Sequence, residues 1–495
     1  MIQRALHRRA SLTCSISAAL GLCLTPAAAQ VAEDEAVAEA LEVARVWLDA
    51  QMAYEQIPSA SAAIVHDQEL VWSAALGQAH PDRGVQATPE TLYSICSISK
   101  LFTAIAVMQL RDEGMLTLRD PVEKHLPWYA VQQRWQGSPP VTVEGILTHS
   151  SGLPRESNHP YWTGPDFPFP TEEEVVAGLP EQETLYPARR YFQYSNLGLT
   201  LAGEIVEELT GVEYDAYVRS RILDPLGMSD TYPEIPLEHR GGRLATGYSA
   251  PTRDGTREEV AFFQAKGIAP AAGYASTAED LARFASWNFR LTGDAQEVLH
   301  AHTLDEMHRV HYVDPDWNTF WGLGFSVRRD DDETFVGHGG SCPGFRSQLQ
   351  MQTEDKIATI FMASAMVSAG TYTGGLYDLV ADAIRSATDE GEKDDEPDRA
   401  AMALDDYLGT YSSQPWGSES AAVRWKGGLA LMSLPTGNPV QALTRLGHDE
   451  GDVFYVIRSD GERGHDVIFH RDASGEVVSY SQHGNHSPRV PAGGR

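Results

Sequence analysis

Lysine is scarce in this chain. Six occur, at positions 100, 124, 266, 356, 393 and 426, against 32 arginines among 495 residues, and the formal charge is −31. The sequence therefore lacks the basic clusters that a phosphate backbone attracts, which excludes nucleic acid as a partner. Cysteine is rare too, at four, and neither a paired-cysteine spacing nor H-E-x-x-H occurs. No metal or other cofactor is expected. Apolar runs of 18 residues are missing, so no stable membrane span is expected, and no internal repeat is visible.

What is there describes a folded, exported protein. An apolar fraction of 42% and an aromatic fraction of 9% supply ample core and exclude global disorder. At the N-terminus, Arg4, Arg8 and Arg9 precede an apolar stretch from Ala10 to Leu24, then Pro26 and Ala27-Ala28-Ala29. That order is the grammar of a secretory signal peptide over residues 1–29, with cleavage after Ala29 and a secreted or periplasmic product. Leu22 is too large for the position before a lipidated Cys23, which argues against a lipoprotein. Loss of three arginines takes the charge from −31 to −34. Cys14 and Cys23 leave with the signal; Cys96 and Cys342 stay, in a compartment where disulfides persist.

Along the rest of the chain, helical and strand periodicities alternate. Helix-period segments are Glu35 to Tyr54, Ile98 to Asp112, Leu197 to Leu209, Thr277 to Phe289 and Gly374 to Ile384. Strand-like runs are Ser61 to Ile64, Leu70 to Trp72, Phe320 to Val327, Gln348 to Gln352 and Ile357 to Met362. A helical centre flanked by strands from both ends predicts an α+β domain over residues 30–388. Residues 389–400 read as an acidic linker, since Asp389 to Asp398 carries seven acids. Beyond it, over 401–495, short alternating runs separated by Lys426-Gly427-Gly428, Asp460-Gly461 and Asp472 to Gly475 predict a small all-β barrel.

Three segments carry chemistry. In Ser97-Ile98-Ser99-Lys100, an offset of three puts Ser97 and Lys100 on one face of a helix start. Unpaired N–H groups there favour an oxyanion, and a buried amine can take the hydroxyl proton. No other lysine of the chain has a serine three residues before it. Tyr194-Ser195-Asn196 opens another helix; a loop tyrosine near a lysine can run with a lowered pKa and shuttle protons, while an Asn amide can hold a substrate amide. Gly337-His338-Gly339-Gly340-Ser341 lets another backbone come close, so that a strand N–H can complete an oxyanion hole. Read singly, each is also compatible with a helix cap or a glycine turn.

Together, S-x-x-K, Y-S-N about 97 residues later and H-G-G about 144 after that resemble the serine β-lactamase and penicillin-recognising family. Its class C β-lactamases, esterase relatives and D-aminopeptidase/DD-peptidase branch are most similar. Leu147 to Pro154, Gly273 to Leu281 and Trp321 to Phe325 look like further landmarks of that family, and the C-terminal barrel resembles the lipocalin-like domains of exported members. The resemblance implies an antiparallel sheet flanked by helices with an all-helical region. It implies that Ser97 is acylated, with Lys100 as its proton acceptor or the stabiliser of Tyr194. Tyr194 would protonate the leaving group and activate the deacylating water. Asn196 would hold the substrate amide, and His338 would orient Tyr194 or the substrate. The main-chain N–H groups of Ser97 and Ser341 would form the oxyanion hole. Carbapenem-hydrolysing class A members carry a disulfide at the places matching Cys96 and Cys342, which implies the same bond here. His149 offers itself as a base, but in the family its segment is structural.

Departures from the family pattern bear on substrate. Where efficient β-lactamases of this type have Lys-Thr-Gly, this chain has His338-Gly339-Gly340, without the ammonium and hydroxyl that grip a carboxylate. Losing a charge-assisted contact costs about 1.5–3 kcal/mol. Weak β-lactam turnover and a preference for esters, D-amino-acid amides or peptides are expected, with Arg346 as a possible carboxylate anchor. A class C-like β-lactamase or DD-carboxypeptidase is the alternative activity, and a slowly acylating β-lactam or peptidoglycan sensor is the non-enzymatic one. An α/β-hydrolase is excluded: Gly339-Gly340-Ser341-Cys342-Pro343 ends in Pro where G-x-S-x-G needs Gly.

Overall fold

A computed structural model describes residues 31–290, 297–388, 404–415 and 417–491. The expected signal peptide with Cys14 and Cys23, and the acidic run expected as a linker over 389–400, lie outside the described residues.

Chain order begins with helix α1 (Glu35–Tyr54), then β1 (Ser59–His66), β2 (Glu69–His80), β3 (Val85–Gln86) and β4 (Tyr93–Cys96). Helix α2 (Ser99–Asp112) leads into a helical region containing α3 (Asn196–Thr210). Next come β5 (Tyr274–Ser276), α4 (Ala278–Asn288), β6 (Tyr312–Val313), β7 (Phe320–Trp321), β8 (Ser326–Asp330), β9 (Glu333–Cys342), β10 (Phe345–Gln352), β11 (Ile357–Ala363) and α5 (Ala369–Thr388). The main sheet is antiparallel in the order β3-β2-β1-β11-β10-β9-β8-β7-β6, and β4 pairs separately with β5. First and last strands meet at its centre, Ala60 opposite Ala363.

Both central strands are buried along nearly their whole length because both sheet faces are covered. On one face, α1 and α5 pack through Trp47, Leu48, Leu376 and Val380 onto Ile64, Ile357 and Phe361, with Tyr372 stacked 4.1 Å from Phe361. On the other lie α4 and α2, the latter buried on every side from Ser99 to Leu110. A helix that is apolar all round belongs in a core, which is why its amphipathic period is weak. The run from Phe320 to Val327, expected as one strand, is split into β7 and β8. Gly324, at φ +86°, sits so close to α2 that a Cβ there would lie 2.4 Å from the Ala104 Cβ.

Eight further strands, β12 (Gly409–Ser412), β13 (Glu419–Trp425), β14 (Gly428–Leu434), β15 (Leu443–Glu450), β16 (Val453–Ile457), β17 (Arg463–Arg471), β18 (Val477–Gln482) and β19 (Asn485–Pro488), form a nearly closed antiparallel barrel. Val490 N–H donates to Thr410 O at 2.8 Å where its two ends meet. Its interior holds Tyr411, Phe454, Phe469 and Tyr480. Two strands have no clear signature in the sequence: β15 is mostly exposed, so it lacks alternation, and β19 is four polar and turn-forming residues. A second barrel face, with Val423, Ala430 and Met432, joins the core under α1. Trp47 Nε1 donates to Thr436 O (2.9 Å) and Thr436 N–H to Gln51 Oε1 (2.8 Å), so α1 is bonded to the barrel as well as to the sheet. No described helix is long and apolar enough to cross a membrane.

Candidate active site

Ser97 stands where β4 ends and α2 begins. Cys96, just before it, has a left-handed backbone at φ +50°, an unfavourable turn for a non-glycine residue. Several contacts hold it. Ser99 Oγ donates to Cys96 O (2.5 Å) and accepts from Tyr274 N–H (3.0 Å), and Cys96 is bonded to Cys342 with Cα atoms 5.7 Å apart. The turn leaves Ser97 partly exposed while Cys96, Ile98, Ser99 and Lys100 are buried.

Lys100 Nζ has three oxygen neighbours: Ser97 Oγ at 3.1 Å, Asn196 Oδ1 at 2.7 Å and Ala271 O at 2.6 Å. Burial drives its pKa well below that of a free lysine; Glu156 opposes the shift and Arg155 adds to it. A depressed value is what a proton acceptor for Ser97 requires.

Tyr194 lies over both partners. Lys100 Nζ is 4.9 Å from its ring centroid, as is the Arg155 guanidinium. The expected lowered pKa is not found. Burial pushes the phenol upward, and the hydrogen bond with Ser97 and the charge of Arg155 only partly offset it. Tyr194 is thus a protonated phenol, suited to giving a proton rather than to taking one first. His149 shapes its seat. The imidazole packs 4.3 Å from the Tyr194 ring, Nδ1 accepts Ser195 N–H at 3.1 Å, and burial holds its pKa well below the ordinary range. Its position is structural. Trp321, centred 5.0 Å from His149 and 6.2 Å from Tyr194, completes that wall.

Asn196 is the first residue of α3, whose start is capped by Ser195 Oγ accepting Gly198 N–H at 2.8 Å. Its amide is held at both ends: the oxygen by Lys100, and Nδ2 by Glu156, at 3.0 and 2.8 Å from the two carboxylate oxygens. Tyr161 OH donates to Glu156, and Arg155 Nε lies 3.1 Å from Glu156 Oε1. The expected substrate-binding Asn is therefore also part of an internal chain. Sequence reasoning missed Arg155 and Glu156, though they directly follow the Leu147 to Pro154 segment.

The third segment lies within β9. Gly340 packs so tightly on β4 that a Cβ would fall 2.2 Å from Ile95 O and 2.0 Å from Ser347 Oγ. This close approach carries Ser341 and Cys342 to the turn at Ser97. His338 Nδ1–H donates to Gly339 O at 2.6 Å, and its buried Nε2 has no hydrogen-bond partner among the described residues. Burial and the nearby Lys100 push its pKa down to about 3, so the ring is neutral. Gly339 pairs with Gln348. Arg346 pairs with Ser341, and alternation puts both on the sheet face opposite His338 and Cys342. Arg346 is half-buried, without a carboxylate within 4 Å among the described residues.

A serine, a buried lysine and a tyrosine now stand together at a helix start beside a glycine-rich strand. The Beta-lactamase family model matches residues 44–382. The chain belongs to the Beta-lactamase family.

This family is one of serine hydrolases, and the chain shares its fold with solved structures. "Beta-lactamase-like protein 2" of Dictyostelium discoideum is 27% identical over 312 residues, 62% of this chain and 56% of that protein. The match thus spans just over half of that relative. The octameric penicillin-binding protein homologue from Pyrococcus abyssi shares the fold over 89% of this chain and 98% of its own, at 23% identity and a TM-score of 0.60. A D-stereospecific amidohydrolase from Streptomyces sp. is 25% identical with a TM-score of 0.54, over 66% of this chain and 94% of its own.

Proposed function

We propose that this Beta-lactamase family protein is an exported serine hydrolase that forms an acyl-enzyme at Ser97 on carboxylic esters or D-amino-acid amides and peptides. The observation that carries the reading is Lys100 Nζ, 3.1 Å from Ser97 Oγ and buried so that its free-base form is favoured. In acylation, Ser97 Oγ bonds to the substrate carbonyl carbon while its proton passes to Lys100. The carbonyl electron pair becomes an oxyanion, received by the main-chain N–H groups of Ser97 and Ser341. As the carbonyl reforms, the leaving group departs with the proton of Tyr194, which Lys100 replenishes. Water then attacks the ester, and its proton follows the same route in reverse.

The substrate class follows from the third segment. Neutral His338 and side-chain-free Gly339 offer no cation to a substrate carboxylate, unlike the Lys-Thr-Gly of efficient β-lactamases. Likeness to a D-stereospecific amidohydrolase supports amide substrates of D configuration. Arg346 is retained as a carboxylate anchor only for substrates long enough to reach its side of β10.

A panel of p-nitrophenyl esters, D- and L-aminoacyl p-nitroanilides, muropeptides and nitrocefin, run on wild type and Ser97→Ala, tests the reading. Steady turnover of esters or D-anilides that vanishes in Ser97→Ala is expected. A burst without turnover would make the protein a sensor, and nitrocefin hydrolysed far better than the rest would make it a β-lactamase. N-terminal sequencing of protein made with its leader in a bacterial host tests export, with Gln30 expected first.

A further inference from the structure

In its proposed role as base, Lys100 is a neutral amine with two N–H donors and one lone pair. Two of its three neighbours, Asn196 Oδ1 and Ala271 O, are oxygens that can only accept. Both N–H groups are therefore committed to them, and the lone pair is left for the third neighbour, Ser97 Oγ. This arrangement depends on which end of the Asn196 amide faces the lysine. Rotated by half a turn, Asn196 would present its NH2 group, which would compete with Ser97 for the lone pair. Glu156 prevents this. Its carboxylate can only accept, and it faces Asn196 Nδ2 through both oxygens. Glu156 is itself fixed by Tyr161 OH and Arg155 Nε.

We infer that Glu156 is a positioning residue for the acylation step: by fixing the orientation of the Asn196 amide, it aims the Lys100 lone pair at Ser97. Resting on the proposed role of Lys100 as base, this extends the active site to a residue that need not touch substrate. The charged and titratable groups around Lys100 are Glu156 and Arg155 from the segment after Pro154, Tyr194 before α3, His149 beneath it and His338 on β9. Of these, Glu156 raises the lysine pKa and Arg155 lowers it.

The test is the pH dependence of kcat/KM for a p-nitrophenyl ester in two variants with opposite expected effects. Glu156→Gln removes the carboxylate and lets the amide turn, so the plateau falls about tenfold or more. Its acid limb moves to lower pH, by about one unit, because the negative charge that favoured the ammonium is gone. Asn196→Asp puts a carboxylate against Lys100 and moves the limb upward by a unit or more. A Glu156 that acted through its charge alone would move the limb and leave the plateau, per titrated active site, at the wild-type height. A wild-type plateau in Glu156→Gln, with melting temperature near wild type, overturns the inference whether or not the limb moves. Should Glu156→Gln not fold, Glu156→Asp, too short to face the amide through both oxygens, takes its place, and a wild-type plateau there overturns it equally. Ser97→Ala separates the two levels: activity surviving there refutes the serine hydrolase, whereas an inactive Ser97→Ala with a wild-type plateau in Glu156→Gln refutes only the role of Glu156.

Discussion

Cys96 and Cys342 join two points 246 residues apart in sequence: the turn that presents Ser97 and the strand position just after Ser341. The same bond therefore spans both proposed oxyanion-hole donors. Ser94 Oγ, 3.3 Å from Cys342 Sγ, lies beside it in the buried layer between β4 and β9.

Opening that bond should loosen the site before it unfolds the protein. In the chain-entropy view a closed loop of this length contributes up to about 5 kcal/mol. Cys342→Ser is expected to lower the melting temperature by several degrees or more, measured by calorimetry. It should also cut acylation by a p-nitrophenyl ester more than substrate binding, because the held turn carries one of the proposed oxyanion-hole donors.

Gly340→Ala tests the approach of β9 to β4. A methyl there meets Ile95 O and Ser347 Oγ at distances no Cβ tolerates, so the strand must move outward with Ser341. A stability loss of at least about 1–3 kcal/mol is expected from denaturant titration. A fall in kcat of tenfold or more should accompany it, in keeping with one lost oxyanion donor.

Restoring the charge of the third segment should change substrate preference. In His338→Lys/Gly339→Thr, the ammonium and hydroxyl give a carboxylate two partners, about 1.5–3 kcal/mol or roughly tenfold and upward in kcat/KM. Nitrocefin hydrolysis relative to a neutral p-nitrophenyl ester is the measurement. An unchanged ratio would show that the third segment does not set the preference.

Acid sensitivity should arise partly far from the site. His308 is buried against Phe325, 4.7 Å away, with Nε2–H donating to Asn288 Oδ1 at 3.0 Å, and burial lowers its pKa to about 4. The unfolded chain binds the proton near pH 6.5, so the stability present above that pH is lost as pH falls toward 4. About 3 kcal/mol is at stake for this one group. Urea titrations between pH 7 and 4 should show His308→Gln losing less stability than wild type over that window, since glutamine keeps a donor for Asn288 and does not titrate.

Local pattern carried much of the architecture into the sequence. α1 is legible to the residue because its apolar stripe faces a core on one side, and Ser97 and Lys100 are legible as a pair because three residues make nearly one helical turn. β15 and β19 are not, since exposed strands need no alternation and their pairing comes from neighbours.

The sequence by itself determined the chemistry available: a serine and a lysine one turn apart, a tyrosine and an asparagine at a second helix start, a glycine-rich strand and two cysteines. Tertiary structure decided what each group does. It raised the Tyr194 pKa instead of lowering it, made His149 a support and kept His338 neutral, all through burial that no local pattern encodes. It also brought Glu156, 40 residues before Asn196, into contact with the amide that faces Lys100. Charge and burial act across space, so only the folded chain could decide which donors and acceptors meet.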